Sequence, residues 1–212
     1  MNFADIIAPY SSNVLSYHLV KGLLQSYKRP NDKISELLVE RNLISLKKGL
    51  YMAGDAIKAP KPSPFLIANC MLGPSYVSVD AALSWHKFIP ERVYITSSIT
   101  IKISQTISNE MGTFEYIQQA TPYYCVGISH VKLANNQWVM MASPEKAMFD
   151  KIITTAGLQF QSKKMVMPFL IENLRIDEAS LKSLDIMKMK TWIDISPKKN
   201  TLLNFIKALE NK

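Results

Sequence analysis

The 212-residue chain is 48% hydrophobic and 20% charged, the balance of an ordinary globular protein, and this sets aside disordered and fibrous classes. Mean hydropathy is +0.02, and no apolar run approaches the roughly 18 residues that span a bilayer, so no membrane partner is expected. With 25 basic and 17 acidic residues the formal charge is +8, a field that favours polyanions.

The first residues, Met1-Asn2-Phe3-Ala4-Asp5, lack the basic and apolar stretches of a secretory leader. Cys70 and Cys125 stand outside any CxxC pair or histidine cluster, which reads as reduced, core-packing thiols in a cytoplasmic protein. Between Lys21 and Lys58, eight basic residues stand against four acidic ones, so the positive excess is modestly concentrated there.

Val14, Leu15, Leu19, Leu23 and Leu24 recur at helical spacing, predicting an amphipathic helix over Asn13–Ser26 with Ser12 as its cap. Tyr27-Lys28-Arg29-Pro30-Asn31 breaks it. Asp32 is placed to cap a second helix, with Ile34, Leu37, Leu38 and Arg41 on one face and Asn42 at its end. Two β-prone runs, Leu43-Ile44 with Leu46 and then Leu50–Met52, flank the turn Lys47-Lys48-Gly49 and predict a hairpin over 43–52. Helix, turn, helix and hairpin in this order predict a winged helix-turn-helix over residues 1–58.

Three prolines in Ala59-Pro60-Lys61-Pro62-Ser63-Pro64 force an extended chain, so 59–64 reads as a linker before a domain over 65–212. That domain opens with helices over Pro64–Leu72 and Val79–His86, separated by a turn at Gly73–Tyr76, the second capped by Ser78. Strand-forming residues follow in five runs: Tyr94–Ser98, Ile99–Ile107, Gly112–Gln118, Tyr123–Val131 and Trp138–Met141. After Ala142 the pattern is helical, with openings at Ser143-Pro144, Ser162-Lys163 and Ser196-Pro197. The expected class is α+β, with a winged N-terminal unit, a central antiparallel sheet and a helical C-terminal third.

No catalytic, metal or cofactor constellation stands out, so a non-enzymatic role is expected. Ser143-Pro144-Glu145-Lys146 matches S-x-x-K, the nucleophile motif of serine β-lactamases, but no S-D-N or K-T-G accompanies it. Proline at the first helical position makes a capping role sufficient for Ser143. His18, His86 and His130 lie far apart, and Glu91-Arg92 reads as an exposed or helix-capping ion pair.

Charge and shape alone suffice for DNA. Lys47 and Lys48 at a tight turn suit backbone phosphates, with Gly49 permitting positive φ. Lys28 and Arg29 precede the second helix, where phosphate contacts are natural, and Asn31, Lys33 and Ser35 are the candidate base readers. Glu36 and Glu40 on the same helix work against affinity.

The block Gly73-Pro74-Ser75-Tyr76-Val77-Ser78, followed by Ala81-Ala82-Leu83-Ser84 and Ile89-Pro90-Glu91-Arg92-Val93-Tyr94, resembles the signature of AbiEi-type antitoxins. Ala142-Ser143-Pro144-Glu145-Lys146-Ala147 does so too. These are bacterial proteins of type IV toxin–antitoxin systems, associated with abortive infection. Leu46-Lys47-Lys48-Gly49-Leu50-Tyr51 resembles the wing before their linker, and Leu174-Arg175-Ile176-Asp177 falls in their helical C-terminal part. The resemblance implies a winged helix that binds operator DNA and represses its own operon, with DNA contacts at Lys33, Lys47 and Lys48. It also implies a C-terminal domain that opposes a nucleotidyltransferase toxin, with or without direct contact. Two other readings stay open: a protein-interaction module, and a ligand-responsive regulator whose aromatics Tyr116, Tyr123, Tyr124 and Trp138 line a pocket or pair across strands.

Overall fold

The computed structural model describes residues 3–210. Its fold is mixed α+β, with a three-stranded antiparallel sheet, a six-stranded mixed sheet and a helical C-terminal part. The N-terminal part runs α1 (Phe3–Ile7), β1 (Leu15–Ser16), α2 (Tyr17–Leu23), α3 (Pro30–Val39), β2 (Leu43–Lys47) and β3 (Leu50–Ala53). Strand order is β1-β3-β2, all antiparallel.

The helix expected over Asn13–Ser26 is therefore shorter. Leu15 and Ser16 pair with Tyr51 and Leu50, and this tertiary pairing overrides the helical periodicity of Val14 and Leu15. Ser16, not Ser12, is the cap, its hydroxyl accepting from the Leu19 amide at 3.2 Å. In α3 proline opens the helix and Asp32 lies in the first turn, where it faces the positive end of the dipole rather than capping. Arg41 falls outside α3 in a left-handed turn at φ 59°, and its guanidinium bridges Asp55 at 2.8 Å and Glu110 at 2.5 Å.

The hairpin is a wall shared by two cores. Cross-strand pairs Ile44–Met52 and Leu43–Ala53 alternate in facing, as period two requires. Ile44, Leu46 and Met52 pack into the larger core with the second sheet and its helices, whereas Leu43 and Ala53 join Leu15, Val20, Ile34 and Leu37 in the smaller one. Past the hairpin, segment 59–63 has neither helix nor strand, but it is fastened. The Lys61 ammonium donates to the carbonyls of Ala53, Gly54 and Ile57, and Gln137 bonds both the Ser63 amide (2.7 Å) and the Lys61 carbonyl (2.9 Å).

The larger part comprises α4 (Pro64–Met71), β4 (Ser75–Val77), α5 (Val79–Trp85), β5 (Ile95–Thr100), β6 (Gln105–Asn109), β7 (Gly112–Gln118), β8 (Ile128–Lys132) and β9 (Trp138–Ala142). Helices α6 (Pro144–Thr154), α7 (Val166–Pro168), α8 (Glu178–Lys182), α9 (Ile186–Trp192) and α10 (Lys199–Glu210) complete it. The sheet order is β6-β7-β5-β4-β9-β8. It is mixed, not antiparallel as expected, because β5 runs parallel to β7 and β4 parallel to β9. Of the turn expected at Gly73–Tyr76, Gly73 and Pro74 form a bend, while Ser75 and Tyr76 belong to strand β4, near the sheet centre, whose three residues are all buried. The expected strand over Ile99–Ile107 breaks at Ile101–Ser104, and Tyr123–Cys125 is a single helical turn before β8. Both cysteines are free and lie at the surface rather than in the core, Cys70 near the end of α4 and Cys125 in that turn.

Candidate nucleic-acid interface

Lys28 and Arg29 sit in the bend that joins α2 to α3, both exposed. Pro30 fixes the start of α3, so the bend cannot wind into helix and its two cations stay at the helix entrance. Arg29 makes one loose contact, 3.7 Å to Asp32, with both side chains open to solvent; such a pair contributes little. With Lys21, Asn31 and Asp32, Arg29 lines a shallow groove of about 430 Å³. Lys21 also lies 5.8 Å from the Tyr17 ring. Lys21 stands in the last turn of α2, one bend from Arg29, a position that the charge pattern alone does not single out.

The three candidate base readers are engaged within the chain. Asn31 accepts a 2.8 Å hydrogen bond from the Tyr17 hydroxyl, and the Ser35 hydroxyl donates back to the Asn31 carbonyl at 3.2 Å. The Lys33 ammonium pairs with Glu36, which raises its pKa, and lies 5.6 Å from the Tyr27 ring. The hairpin lysines differ from each other. Lys47 donates to the carbonyl of Met71, the last residue of α4, where the helix dipole is negative. Lys48 projects from the turn, exposed and with no partner among the described residues, next to Gly49 at φ 80°. Lys28, Arg29 and Lys48 are thus the predicted cations without a close partner among the described residues.

In the larger core the S-x-x-K motif resolves into two separate jobs. Ser143 caps α6, accepting from the Lys146 amide at 3.4 Å and donating to Glu145 at 2.7 Å. The Lys146 ammonium points the other way, 3.2 Å from Asp150 and 3.0 Å from the Tyr123 carbonyl, so no serine–lysine dyad forms. Asp150 also accepts from the hydroxyls of Tyr123 (2.7 Å), Ser78 (2.6 Å) and Tyr76 (3.1 Å). Ser78 therefore stands at the α5 cap position without capping, since its hydroxyl is spent on Asp150. Burial pushes the Lys146 pKa down to about 8 and raises those of Tyr76 and Tyr123.

The four candidate pocket aromatics do not converge. Tyr116 and Tyr123 are buried in the core, Tyr124 packs on Tyr76, and Trp138 stacks on His130 at the β8–β9 end of the sheet. Glu91 and Arg92 do not pair with each other: Glu91 faces Arg175 at 3.6 Å, and Arg92 lies 5.4 Å from the Tyr94 ring. Among the described residues no helix is long and apolar enough to cross a membrane, and no cluster of three or more metal-ligating side chains forms. No protein-family model matches the chain, and no match was found among curated proteins.

Proposed function

We propose that residues 1–58 are a winged helix-turn-helix that binds double-stranded operator DNA and represses its own operon, within an antitoxin of a type IV toxin–antitoxin system. The observation that carries the DNA reading is the order α1-β1-α2-α3-β2-β3 with sheet order β1-β3-β2. This arrangement brings a helix entrance bearing Lys28 and Arg29, and a turn bearing Lys48, onto one small scaffold. The contacts it supports are phosphate contacts, because Asn31, Lys33 and Ser35 are held by neighbours in the free chain. Affinity then depends on counterion release, at a slope of about 0.9 per phosphate neutralised.

The test is a gel-shift series on DNA upstream of the chain's own gene, at rising salt. The triple variant Lys28→Glu, Arg29→Glu and Lys48→Glu is expected to lose binding at moderate salt and to show a flatter salt dependence. Equal binding by that triple variant and the parent protein at low salt would overturn the interface. The antitoxin reading rests on the Gly73–Tyr94 and Ala142–Ala147 resemblance and is tested by co-expressing the full chain with a neighbouring nucleotidyltransferase. Restored growth supports it; unrelieved toxicity removes it.

A further inference from the structure

A cleft of about 480 Å³ opens on the larger part, bounded by α5, the loop 89–94, β5, β7, α6 and the turn after α7. Its floor is unusual for the centre of a sheet. Ser97 of β5 and Glu115 of β7 are register partners in the parallel pair, and both line the cleft. Phe114 and Tyr116, which flank Glu115 in β7, face the core, as alternation demands. A middle-strand face that presents serine and glutamate, where a packed face would carry valine or isoleucine, is a face built for something polar.

The polar groups are only partly satisfied. Glu115 accepts from the Ser97 hydroxyl at 3.2 Å and has no cation partner among the described residues. Asp80 takes the Lys151 ammonium at 2.7 Å on one oxygen, while its other oxygen is buried without a donor. Glu115 thus faces the cleft with acceptor capacity unfilled, and Asp80 lines the same cleft with one oxygen held by Lys151. At the rim Tyr94 is 79% exposed, and the Arg92 guanidinium lies 5.4 Å from its ring with no carboxylate partner among the described residues.

We propose that this cleft binds a guanine nucleotide. Among the bases, guanine alone offers two adjacent N–H donors on its Watson–Crick edge, the complement of a carboxylate such as Glu115. Its flat ring suits the exposed Tyr94 ring, and Arg92 beside it, with no carboxylate partner among the described residues, is available to a phosphate. The inference stands independently of the DNA reading, because it uses none of the residues of the N-terminal part.

Isothermal titration of the full chain with GMP, IMP, AMP, CMP and free arginine tests it. GMP is expected to bind saturably and to outcompete AMP and CMP. IMP lacks the 2-amino donor and should bind about tenfold more weakly, which needs no variant of the protein. Glu115→Gln and Tyr94→Ala, each checked for an unchanged melting temperature, should weaken GMP by about tenfold or more, while Trp138→Ala should not. Absent GMP binding, equal affinity for AMP or IMP, or tighter binding of arginine would each overturn the assignment.

Discussion

Asp150 shows how a single carboxylate organises the larger core. Lysine, two tyrosine hydroxyls and a serine converge on it with no exposed surface on either charged side chain. Removing one partner of a buried pair strands the other, so Asp150→Ala is expected to cost about 3–5 kcal/mol in a urea titration; a loss below about 1 kcal/mol would show that the core rearranges around the gap. The pH dependence follows from the same residues. Lys146 titrates near 8 in the fold against an ordinary 10.5. Between those values the unfolded chain holds a proton that the folded chain has released, so this lysine's contribution raises stability as pH climbs through that window. Tyr76 and Tyr123, whose pKa values are raised mainly by burial, act oppositely above about pH 10, where unfolded tyrosines ionise. Unfolding midpoints of the parent protein, referenced to Lys146→Met, should therefore rise between pH 8 and 10; a flat difference would contradict the shift. None of this cluster was visible in the sequence. Lys146 and Asp150 are an ordinary i, i+4 pair on paper, and Tyr76, Ser78 and Tyr123 reach them only through tertiary folding.

At the scale of elements, the hairpin was the most legible feature. Alternating apolar residues around Lys47-Lys48-Gly49 specified strands and turn, and the strands run Leu43–Lys47 and Leu50–Ala53. Its second apolar face was equally present in the sequence but had no visible partner. Leu46 proves to be buried in the core of the larger part. Leu46→Ala should therefore destabilise the whole chain by about 2–5 kcal/mol, measured as one thermal transition; a loss under about 0.5 kcal/mol would mean that the hairpin is free. The start of the chain was the least legible. A two-residue strand earns no periodicity of its own and exists because β3 offers an edge to pair with. The parallel pairs β4–β9 and β5–β7 were illegible for a related reason, since strand direction is set by connections and not by local composition.

For the molecule as a whole, the two cores meet at the hairpin, and the contacts between its parts are specific. Asn109, at the end of β6, donates to the Leu46 carbonyl at 3.0 Å, Glu110 beside it holds Arg41, and Lys47 binds the end of α4. A fragment beginning at residue 62 would expose the apolar surface that Ile44, Leu46 and Met52 cover. It is expected to bind a hydrophobic dye and to melt at lower temperature than the full chain; matching the full chain on both counts would show that the parts are independent.

The sequence by itself determined the element types over much of the chain, the hairpin, the Ser143 cap and the concentration of cations near α3, because these depend on periodicity, turn chemistry and charge within a few residues. Tertiary structure alone decided that Lys47 is taken, since its partner Met71 lies 24 residues away, whereas the Lys33–Glu36 pair is a local contact within one helix. It also decided that the sheet is mixed, that one hairpin closes two cores, and that Ser97 and Glu115 share a cleft floor. Long-range pairing sets all of these, and no local pattern encodes it.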